Sequence, residues 1–324
     1  MIPTLLGISL VVFFLTQVIP GGPVEAFISK IRFSGGEGNA QSQISEELIE
    51  NLKKMYGYDK PVYVRYFTWM GHLLRGDLGE SYEYKEPVWT VIRGKLPVSL
   101  SFGIFSFFLV YLISVPLGVF KAVKDGGRFD TSTSMILFVA YSIPSYALAT
   151  FFIVFLCGGT FVQWFPLQGL TSSGFDEMSL WAKVVDYVHH FFLPLTCYVA
   201  SQFALTTMMM KNSFLEQVRQ DYVRTARAKG VPGRVVHYKH VLRNALLPLA
   251  TDLRTFPALF LSGSILVEQI FGLDGIGLLN YESIMSRDYP VALGIIMLAS
   301  VATMAGVLLS DLLYILIDPR IDFK

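Results

Sequence analysis

The stretch LPVSLSFGIFSFFLVYLISVPLGVF, residues 96–120, contains no charged side chain. A helix needs roughly 20 consecutive, mainly apolar residues to cross the hydrocarbon core of a bilayer, and this stretch is long enough. Further charge-free stretches are residues 1–24, 131–175, 187–210 and 289–310. Because charge is confined to the segments between them, the sequence predicts an all-α protein that crosses a membrane several times.

The overall composition agrees with a membrane protein and gives little support to other classes. Hydrophobic residues make up 53% of the 324 residues and charged residues only 16%, whereas about a quarter of residues are charged in a typical soluble domain. The net charge of +1 gives no reason to expect a nucleic-acid partner. Cys157 and Cys197 lie in apolar stretches without metal-ligand spacing, so we expect both to be buried apolar side chains.

The apolar stretches predict six transmembrane helices, separated by polar connections. They divide the chain into a first helix within residues 1–19, a soluble extracytoplasmic insertion at 20–96 and a five-helix core at 97–324. The fifth helix is the least regular, since Asp252 and Pro257 interrupt its apolar run. The predicted helices lie near Pro3–Val18, Pro97–Phe120, Ser132–Leu156, Phe192–Met210, Leu246–Phe271 and Val291–Leu316.

The N-terminal apolar run is predicted to be a spanning helix rather than a cleaved leader. It lacks the basic flank and the small-residue cleavage site that a signal peptide would show. Because the run begins almost at Met1 and has no cytoplasmic anchor, we expect the natural start to lie a few residues upstream.

Basic residues in the short connections predict the orientation, because Lys and Arg tend to stay on the cytoplasmic side. The connections after the second and fourth helices are rich in cations, whereas the opposite short connections carry only Lys183 and Arg287. Both termini are therefore predicted to be cytoplasmic. The cations assigned to that side are Lys121, Lys124, Arg128, Lys211, Arg219, Arg224, Arg227, Lys229, Arg234, Lys239 and Arg243, with Arg320 and Lys324 near the C-terminus.

Motifs for catalysis or nucleotide binding are missing from the sequence. It contains no G-x-x-x-x-G-K-[ST] phosphate loop, no H-E-x-x-H zinc helix and no G-x-S-x-G nucleophile turn. His237 and His240 are close in sequence but lack further nearby metal ligands. We therefore predict that the chain has no catalytic residue, metal site or cofactor of its own. A membrane-embedded enzyme would need a convergent set of reactive groups, which is not visible.

A transporter driven by an ion gradient is the other class to consider. Such a protein would also be a polytopic apolar chain without a nucleotide-binding motif. It would usually show paired broken helices or inverted repeats, with carboxylates at mid-depth of the membrane. Neither pattern is clear in this sequence.

The stretch DYVRTARAKGVPG, residues 221–233, is the most informative polar segment. Small residues alternate with cations in it, and a helix here would carry little bulk at Ala226 and Ala228, which favours close approach of a partner. Gly230 suits the left-handed C-terminal cap of a helix, and Pro232 prevents the helix from continuing. On composition alone, a connection that only maintains the topology explains the segment equally well.

This segment resembles the coupling-loop signature E-A-A-x-x-x-G of bacterial ABC importer permeases. The form T-A-R-A-K-G, followed by H-x-x-R-N-A-L-L-P, is that of oligopeptide and dipeptide permeases, in which the signature's Glu and first Ala are replaced as they are here. In that family the loop forms short helices that sit in a cleft on the ATP-binding subunit. The resemblance implies this role for the cytoplasmic loop 211–246, through Tyr222, Arg224, Thr225, Ala226, Ala228, Gly230 and Pro232.

The resemblance continues along nearly the whole chain and keeps the order of the family's motifs. Each motif alone is weak, but the ordered series is specific. The PGGP motif, residues 286–291 and the ending at residues 317–323 are most similar to the Yej-type B permeases. The importers of that type are associated with oligopeptides and peptide antibiotics of the microcin C kind. The matching motifs are PGGP (20–23), GYDKP (57–61), GDLGES (76–81), LPVSL (96–100), SIP (142–144), FGLDGIG (271–277), RDYPV (287–291) and DPRI (318–321).

The resemblance implies a fold, a location and a set of partners. The fold is that of a type I ABC importer permease, with a periplasmic insertion after the first of six helices. The chain would be a non-catalytic subunit in the lipid of the bacterial inner membrane, forming a heterodimer with a homologous second permease. Two separate ATP-binding subunits would hold ATP and magnesium, and a periplasmic substrate-binding protein would meet outer loops such as residues 272–287.

Two acidic residues of the fifth predicted helix, Glu268 and Asp252, are candidates for the substrate pathway. A charge in hydrocarbon is costly and normally faces a cavity or a partner. Glu268 lies near the outer end of its helix, where solvation by water would explain the charge as well as a pathway contact does.

Overall fold

The computed structural model describes residues 1–18, 24, 28, 46–55, 57–159, 161–252, 254, 257 and 263–317. Within these ranges the chain is mainly helical and forms no β-strand, only an isolated antiparallel bridge between Glu80 and Pro87. The α-helices are α1 (Ile2–Val18), α2 (Glu46–Met55), α3 (Val62–Leu74), α4 (Val88–Val123), α5 (Arg128–Ser142), α6 (Ser145–Phe152), α7 (Leu180–Val218), α8 (Asp221–Ala228), α9 (Gly233–Val235), α10 (Leu242–Ala245), α11 (Leu247–Asp252), α12 (Ile265–Phe271), α13 (Ile276–Met285) and α14 (Tyr289–Ile317). The predicted motifs at 20–23 and 318–321 lie outside the described residues.

Several helices are long and apolar enough to cross a membrane. Among the described residues these are α4, α7 and residues 289–312 of α14, while α5 with residues 145–157 forms a fourth, bent candidate. Helix α1 is apolar but only 17 residues long. The prediction of a helical chain with several membrane spans is thus confirmed, and the count of six and the insertion at 20–96 remain predictions.

The third predicted span is not one continuous helix, so the sequence prediction is wrong on this point. The chain bends by 88° between α5 and the segment from Ser145 to Cys157. Ile143 and Pro144 at the break have extended ψ angles of 116° and 141°. Proline disfavours a helical conformation in the residue before it, which explains why α5 ends there.

The fifth predicted span is also interrupted within the part of the chain that the structure describes. Helix α11 ends at Asp252 and α12 begins at Ile265, with Gly263 at φ +53° and Ser264 extended immediately before it. Non-helical backbone at membrane depth is tolerated only where it is buried in protein or lines a cavity. Residues 263–264 therefore require such surroundings if this segment lies in the membrane.

Helices α4 and α7 are much longer than the apolar runs that predicted them. Their 36 and 39 residues correspond to lengths of about 54 and 58 Å, against a hydrocarbon core of about 30 Å. Both helices therefore extend well into polar surroundings. Helix α13 was not predicted either, because residues 272–287 were expected to form a loop.

The chain divides into two compact units, residues 1–97 with 279–301 and residues 98–278 with 302–324. The first unit has an aromatic core in which Phe13 of α1 packs against Tyr66 and Trp69 of α3, with ring centroids 5.4 and 5.5 Å apart. The hydroxyls of Ser9 and Tyr66 share a buried hydrogen bond of 2.9 Å. These contacts attach α3 to the first helix.

The second unit has two apolar clusters, one beside α12 and the other beside α8. One contains Phe102 of α4 and Phe191 of α7, stacked at 4.3 Å, together with Val267 of α12. The other contains Met210 and Phe214 of α7 and the apolar side of the segment that begins with α8. Cys157 and Cys197 both belong to the first cluster and are free and buried, which confirms the sequence prediction for them.

Candidate functional site

Helix α8 is held on its own chain by one apolar edge. Val223 has no exposed surface and packs in a cluster with Phe214 of α7 and with Val236 and Val241 beyond α8. Ala226 is half-buried against the same cluster. Residues three apart lie on one face of a helix, so these two side chains anchor α8 and leave its other faces directed outward.

The outward faces carry most of the residues that the resemblance associates with coupling. Ala226 is the exception, because it packs against its own chain, and Ala228 supplies the small exposed side chain instead. The exposed members of the set are Tyr222, Arg224, Thr225, Ala228, Gly230 and Pro232.

Among the described residues, the polar contacts of the side chains on this face are with residues close in sequence. The Tyr222 hydroxyl donates to Gln217 Oε1 at 3.0 Å, and Arg224 Nη1 lies 3.3 Å from Asp221 Oδ1. The Arg224 side chain is nevertheless 77% exposed. An exposed ion pair of this kind contributes less than about 1 kcal/mol, so the guanidinium group is available to a partner.

Helix α8 ends in a Schellman motif, as the Gly230 and Pro232 pattern predicts. Gly230 has φ +76° and its amide donates to the Arg227 carbonyl at 2.9 Å. The Val231 amide donates to the Ala226 carbonyl at 3.2 Å. These two bonds satisfy carbonyl groups that a helix end otherwise leaves unpaired. Pro232 then precedes α9 and prevents α8 from continuing.

The segment after α8 is tied back to α7. The Ser213 hydroxyl donates to the Ala245 carbonyl at 2.8 Å in a buried contact. Between them, residues Val236–Val241 form a wide π-helical turn. Partial burial, followed by the positive charge of Arg227, lowers the pKa of His237. This histidine is therefore neutral at physiological pH.

A buried ion cluster joins the ends of α4, α5 and α7, and it was not anticipated from the sequence. Lys121 of α4 has no exposed surface, and its Nζ lies 3.0 Å from Asp130 Oδ1. Lys211 of α7 lies 2.7 Å from Asp130 Oδ2 and 2.9 Å from Asp125 Oδ1. Two cations and two carboxylates balance in charge, and Asp125 is the exposed member of this otherwise buried cluster.

The charge pattern of the sequence predicts that Lys121 and Lys211 lie in the cytoplasmic connections between helices. The structure places both within helices and in contact with acidic residues. The available sequence signal was Asp130, which follows Lys121 across the glycine turn at 126–127. Nothing in the local sequence indicates that Lys211, about 80 residues later, joins the same carboxylate.

Glu268 lies inside its own chain and has no exposed surface. Its Oε1 accepts hydrogen bonds from the Ser264 amide at 3.2 Å and the Tyr198 hydroxyl at 3.1 Å. Its Oε2 accepts a bond of 2.7 Å from the Leu278 amide. The carboxyl group thus ties α12 to α7 and α13, and it is not exposed to water at the end of a helix.

Three glycines make room for this carboxyl group. A Cβ on Gly275 would lie 2.6 Å from Glu268 Cδ, and one on Gly277 would lie 3.1 Å from Oε2. A Cβ on Gly263 would overlap Oε1. The FGLDGIG motif therefore wraps around the Glu268 side chain, and we call this arrangement of Glu268, Tyr198 and the three glycines the Glu268 joint.

Asp252, the second predicted pathway residue, has different surroundings. It is exposed at the end of α11. The hydroxyl of Tyr111 on α4 donates to Asp252 Oδ2 at 3.2 Å. Asp252 and Glu268 are thus not brought together into one site, and only Asp252 keeps a carboxylate on an accessible surface.

Other sequence motifs also prove to be joints within a compact unit. In the second unit, the Ile276 amide of FGLDGIG donates to the Ser99 hydroxyl of LPVSL at 2.8 Å. In the first unit, Asp288 of RDYPV accepts bonds from the Ser81 hydroxyl and, at 3.0 Å, from the Tyr82 amide. The sequence shows these motifs but not which of them meet.

Comparison with known proteins supports the resemblance on which the coupling assignment depends. Residues 114–323 match the model of the family described as "Binding-protein-dependent transport system inner membrane component". The chain is similar to the peptidoglycan transport system permease protein YejB of Agrobacterium fabrum, with 42% identity covering 100% of this chain and 96% of the relative. It is 41% identical to the inner membrane ABC transporter permease protein YejB of Escherichia coli O157:H7, with the same coverage. It is 33% identical to the oligopeptide transport system permease protein AppB of Bacillus subtilis, over 99% of this chain and 96% of the relative.

Proposed function

Because the chain belongs to the family of binding-protein-dependent transport system inner membrane components, we propose that it is the permease subunit of an ATP-driven importer for oligopeptides or peptide-like compounds. It forms the translocation path together with a homologous second permease. Two separate subunits bind ATP and magnesium and hydrolyse the ATP, and this chain is not itself catalytic. A periplasmic binding protein delivers the substrate, and both termini of the permease lie in the cytoplasm.

The observation that carries the proposal is the construction of α8. A short helix is anchored by Val223 and Ala226, ended by Gly230, and otherwise exposed with a cationic face. ATP can drive transport only if its binding and hydrolysis change contacts that differ between the states of the permease. A rigidly anchored helix on the cytoplasmic side is suited to transmit such a change.

The substrate class is inferred from relatives. The Bacillus relative is named as an oligopeptide permease and the Agrobacterium relative as a peptidoglycan permease. Oligopeptides and the peptide-bearing fragments of a cell wall share an amide backbone. We therefore propose substrates with a peptide backbone, and peptide antibiotics of the microcin C kind are members of that class.

The test compares two glycines that are alike within this chain. Gly230 and Gly174 have φ angles of +76° and +81°, and a Cβ at either position would meet no atom within 4 Å. A Gly→Val substitution should therefore strain the chain equally at both positions. We expect Gly230→Val to reduce ATP-driven peptide uptake and co-purification of the ATP-binding subunits at least about tenfold, while Gly174→Val retains both.

Two results would overturn the proposal. Equal loss in both variants would mean that Gly230 matters only for the fold of this chain. Uptake by the purified chain alone, driven by an imposed ion gradient without ATP, would identify a secondary transporter instead. The assay uses tagged, co-purified complexes in liposomes, with and without ATP and with a proton-gradient uncoupler.

A further inference from the structure

A cavity of about 200 Å³ lies among α4, α6, α7 and the residues that precede α12. All of its described lining residues belong to the second compact unit. Most of them are polar but neutral. The polar side chains are the hydroxyls of Ser106, Ser145, Tyr198, Ser201 and Ser264 and the amide of Gln202.

The chemistry of this lining is uniform. None of the described residues around the cavity carries a charge. Hydroxyl and amide groups can both donate and accept hydrogen bonds. Within the described part of the chain, the side chains of Ser201 and Gln202 have no hydrogen-bond partner. Polar groups in the spanning helices are costly unless they are bonded, so these groups are suited to a polar occupant.

The carboxyl group of Glu268, which bonds to the lining residue Tyr198, does not itself line the cavity. Val267 lines the cavity, but the next residue, Glu268, does not. The carboxyl oxygens of Glu268 accept hydrogen bonds from the Ser264 amide, the Tyr198 hydroxyl and the Leu278 amide. The Glu268 joint therefore supports the cavity wall without presenting a negative charge to an occupant.

The non-helical backbone before α12 also agrees with a polar occupant of this cavity. Gly263 and Ser264 are non-helical and both line the cavity. Irregular backbone at membrane depth occurs where it is covered by protein or borders a water-filled space. The break in the fifth predicted span thus coincides with the cavity.

We propose that this cavity is the chain's contribution to the translocation path and that it receives the main-chain amides of a peptide. Neutral groups that donate and accept match the N–H and C=O groups of a peptide backbone and do not select among side-chain charges. Pockets that enclose a whole drug-sized ligand measure about 300–1,000 Å³, so this cavity holds one segment of a passing chain. The inference rests on the proposed function and identifies the part of the substrate that the permease contacts.

The experiment introduces a charge of either sign at one lining position. Gln202→Glu is isosteric, and Gln202→Lys carries the opposite charge. Uptake of the tripeptides Ala-Lys-Ala, Ala-Ala-Ala and Ala-Glu-Ala is measured in liposomes that contain the complete complex. We expect Gln202→Glu to raise the ratio of Ala-Lys-Ala to Ala-Glu-Ala uptake about fivefold over wild type, and Gln202→Lys to lower it similarly.

The matched control is Gln217→Glu, the same change on the same helix but outside the cavity. It should leave the ratio unchanged, whatever its effect on the total rate. If the Gln202 variants do not assemble, Ser145→Asp and Ser145→Lys on α6 place the charges on another wall, with the same expected shifts. A ratio is used because a general loss of folded protein affects both tripeptides equally.

The outcomes separate this inference from the proposed function. If ATP-driven uptake of Ala-Ala-Ala persists and the ratio stays at the wild-type value in variants of opposite charge, the cavity is not on the path and the importer function stands. If the wild-type complex shows no ATP-driven uptake of any tripeptide, the proposed function itself fails. Opposite shifts of the ratio in the two Gln202 variants would support the inference.

Discussion

Helix α8 is anchored to the rest of its chain by one apolar edge, whereas Glu268 uses both oxygens of its side chain in internal contacts. The first region exposes Tyr222 and Arg224 and buries only small apolar side chains. The second encloses a carboxyl group completely, with donors from three elements. Both regions lie in the same compact unit and both contain motifs of the family. A motif of the family can therefore lie on an exposed surface or form a joint inside the chain, and burial distinguishes the two.

The largest expected effect comes from removing the buried carboxyl group. Glu268→Ala would leave the Leu278 amide and the Tyr198 hydroxyl without an acceptor and open a void. We expect a cost of about 4 kcal/mol or more. The measurement is the fraction of the chain that remains monodisperse after heating in detergent, compared with wild type.

Glu268→Gln is the control for this substitution. It keeps the volume and one acceptor oxygen but directs an NH₂ group at a backbone donor, so an intermediate loss is expected. A Glu268→Ala chain that is as heat-resistant as wild type but does not transport peptide would contradict the internal joint. Such a chain would favour the pathway role first considered for this residue.

The second prediction compares two Gly→Ala substitutions, one from each region. In Gly275→Ala, the new Cβ would lie 2.6 Å from Glu268 Cδ, and such overpacking costs about 1–3 kcal/mol. In Gly230→Ala, the new Cβ meets no atom, and only the positive φ is penalised, by about 1 kcal/mol. Heat resistance should therefore fall more for Gly275→Ala. The reverse order would show that the exposed cap, not the joint, limits stability.

The third prediction separates the anchor of α8 from its outward face. Val223→Ala removes buried methyl groups and should cost about 1–2 kcal/mol of local stability. Amide hydrogen exchange of residues 221–228 should then become faster. Thr225→Ala on the exposed face should change exchange by less than about 0.5 kcal/mol. Equal effects of the two substitutions would contradict the one-sided anchoring of α8.

The smallest expected effect is the pH dependence of the local stability of the segment that follows α8. Burial, followed by the charge of Arg227, lowers the pKa of His237, so the unfolded segment binds a proton more readily than the folded one. Local stability is therefore full above pH of about 6.5 and declines as the pH falls toward the lowered, folded-state pKa. Hydrogen exchange of residues 236–245, corrected for intrinsic rates, should show less protection at pH 5.5 than at pH 8. His237→Phe should abolish this difference, and greater protection at pH 5.5 would contradict it.

The sequence predicted those features that depend on neighbouring residues. The charge-free runs located the apolar centres of α4, α7 and α14, and the Gly230 pattern predicted the end of α8, because a helix cap is decided within one turn. The ends of α4 and α7 were missed because their helices continue into polar sequence without a breaker. The break at Ile143 and Pro144 has a local signal in the proline, but the charge-free run continues on both sides of it and hides the break.

The long-range contacts could not be predicted in the same way. Tyr198 and Leu278 meet at Glu268 although 80 residues separate them, and Ser99 meets Ile276 although 177 residues separate those two. These pairs depend on how helices pack, which an apolar run does not specify when it is hydrophobic all round. For the same reason, the sequence does not show that Glu268 is buried and Asp252 exposed. It also does not show that the neutral residues near Gln202 line one cavity.

Lys121 and Lys211 can orient the chain only before it has packed. During insertion, each of them resists transfer across the hydrocarbon. In the folded protein both lysines pair with the buried carboxylate of Asp130, and Lys211 also contacts Asp125, which remains exposed. Lys121 no longer faces water or lipid headgroups. Folding thus neutralises the two charges that the positive-inside rule predicts to orient the chain during insertion. A reversal of these helices across a membrane would have to separate the buried ions of Asp130, Lys121 and Lys211 or carry them through hydrocarbon, so we expect the cluster to oppose any change of orientation after folding.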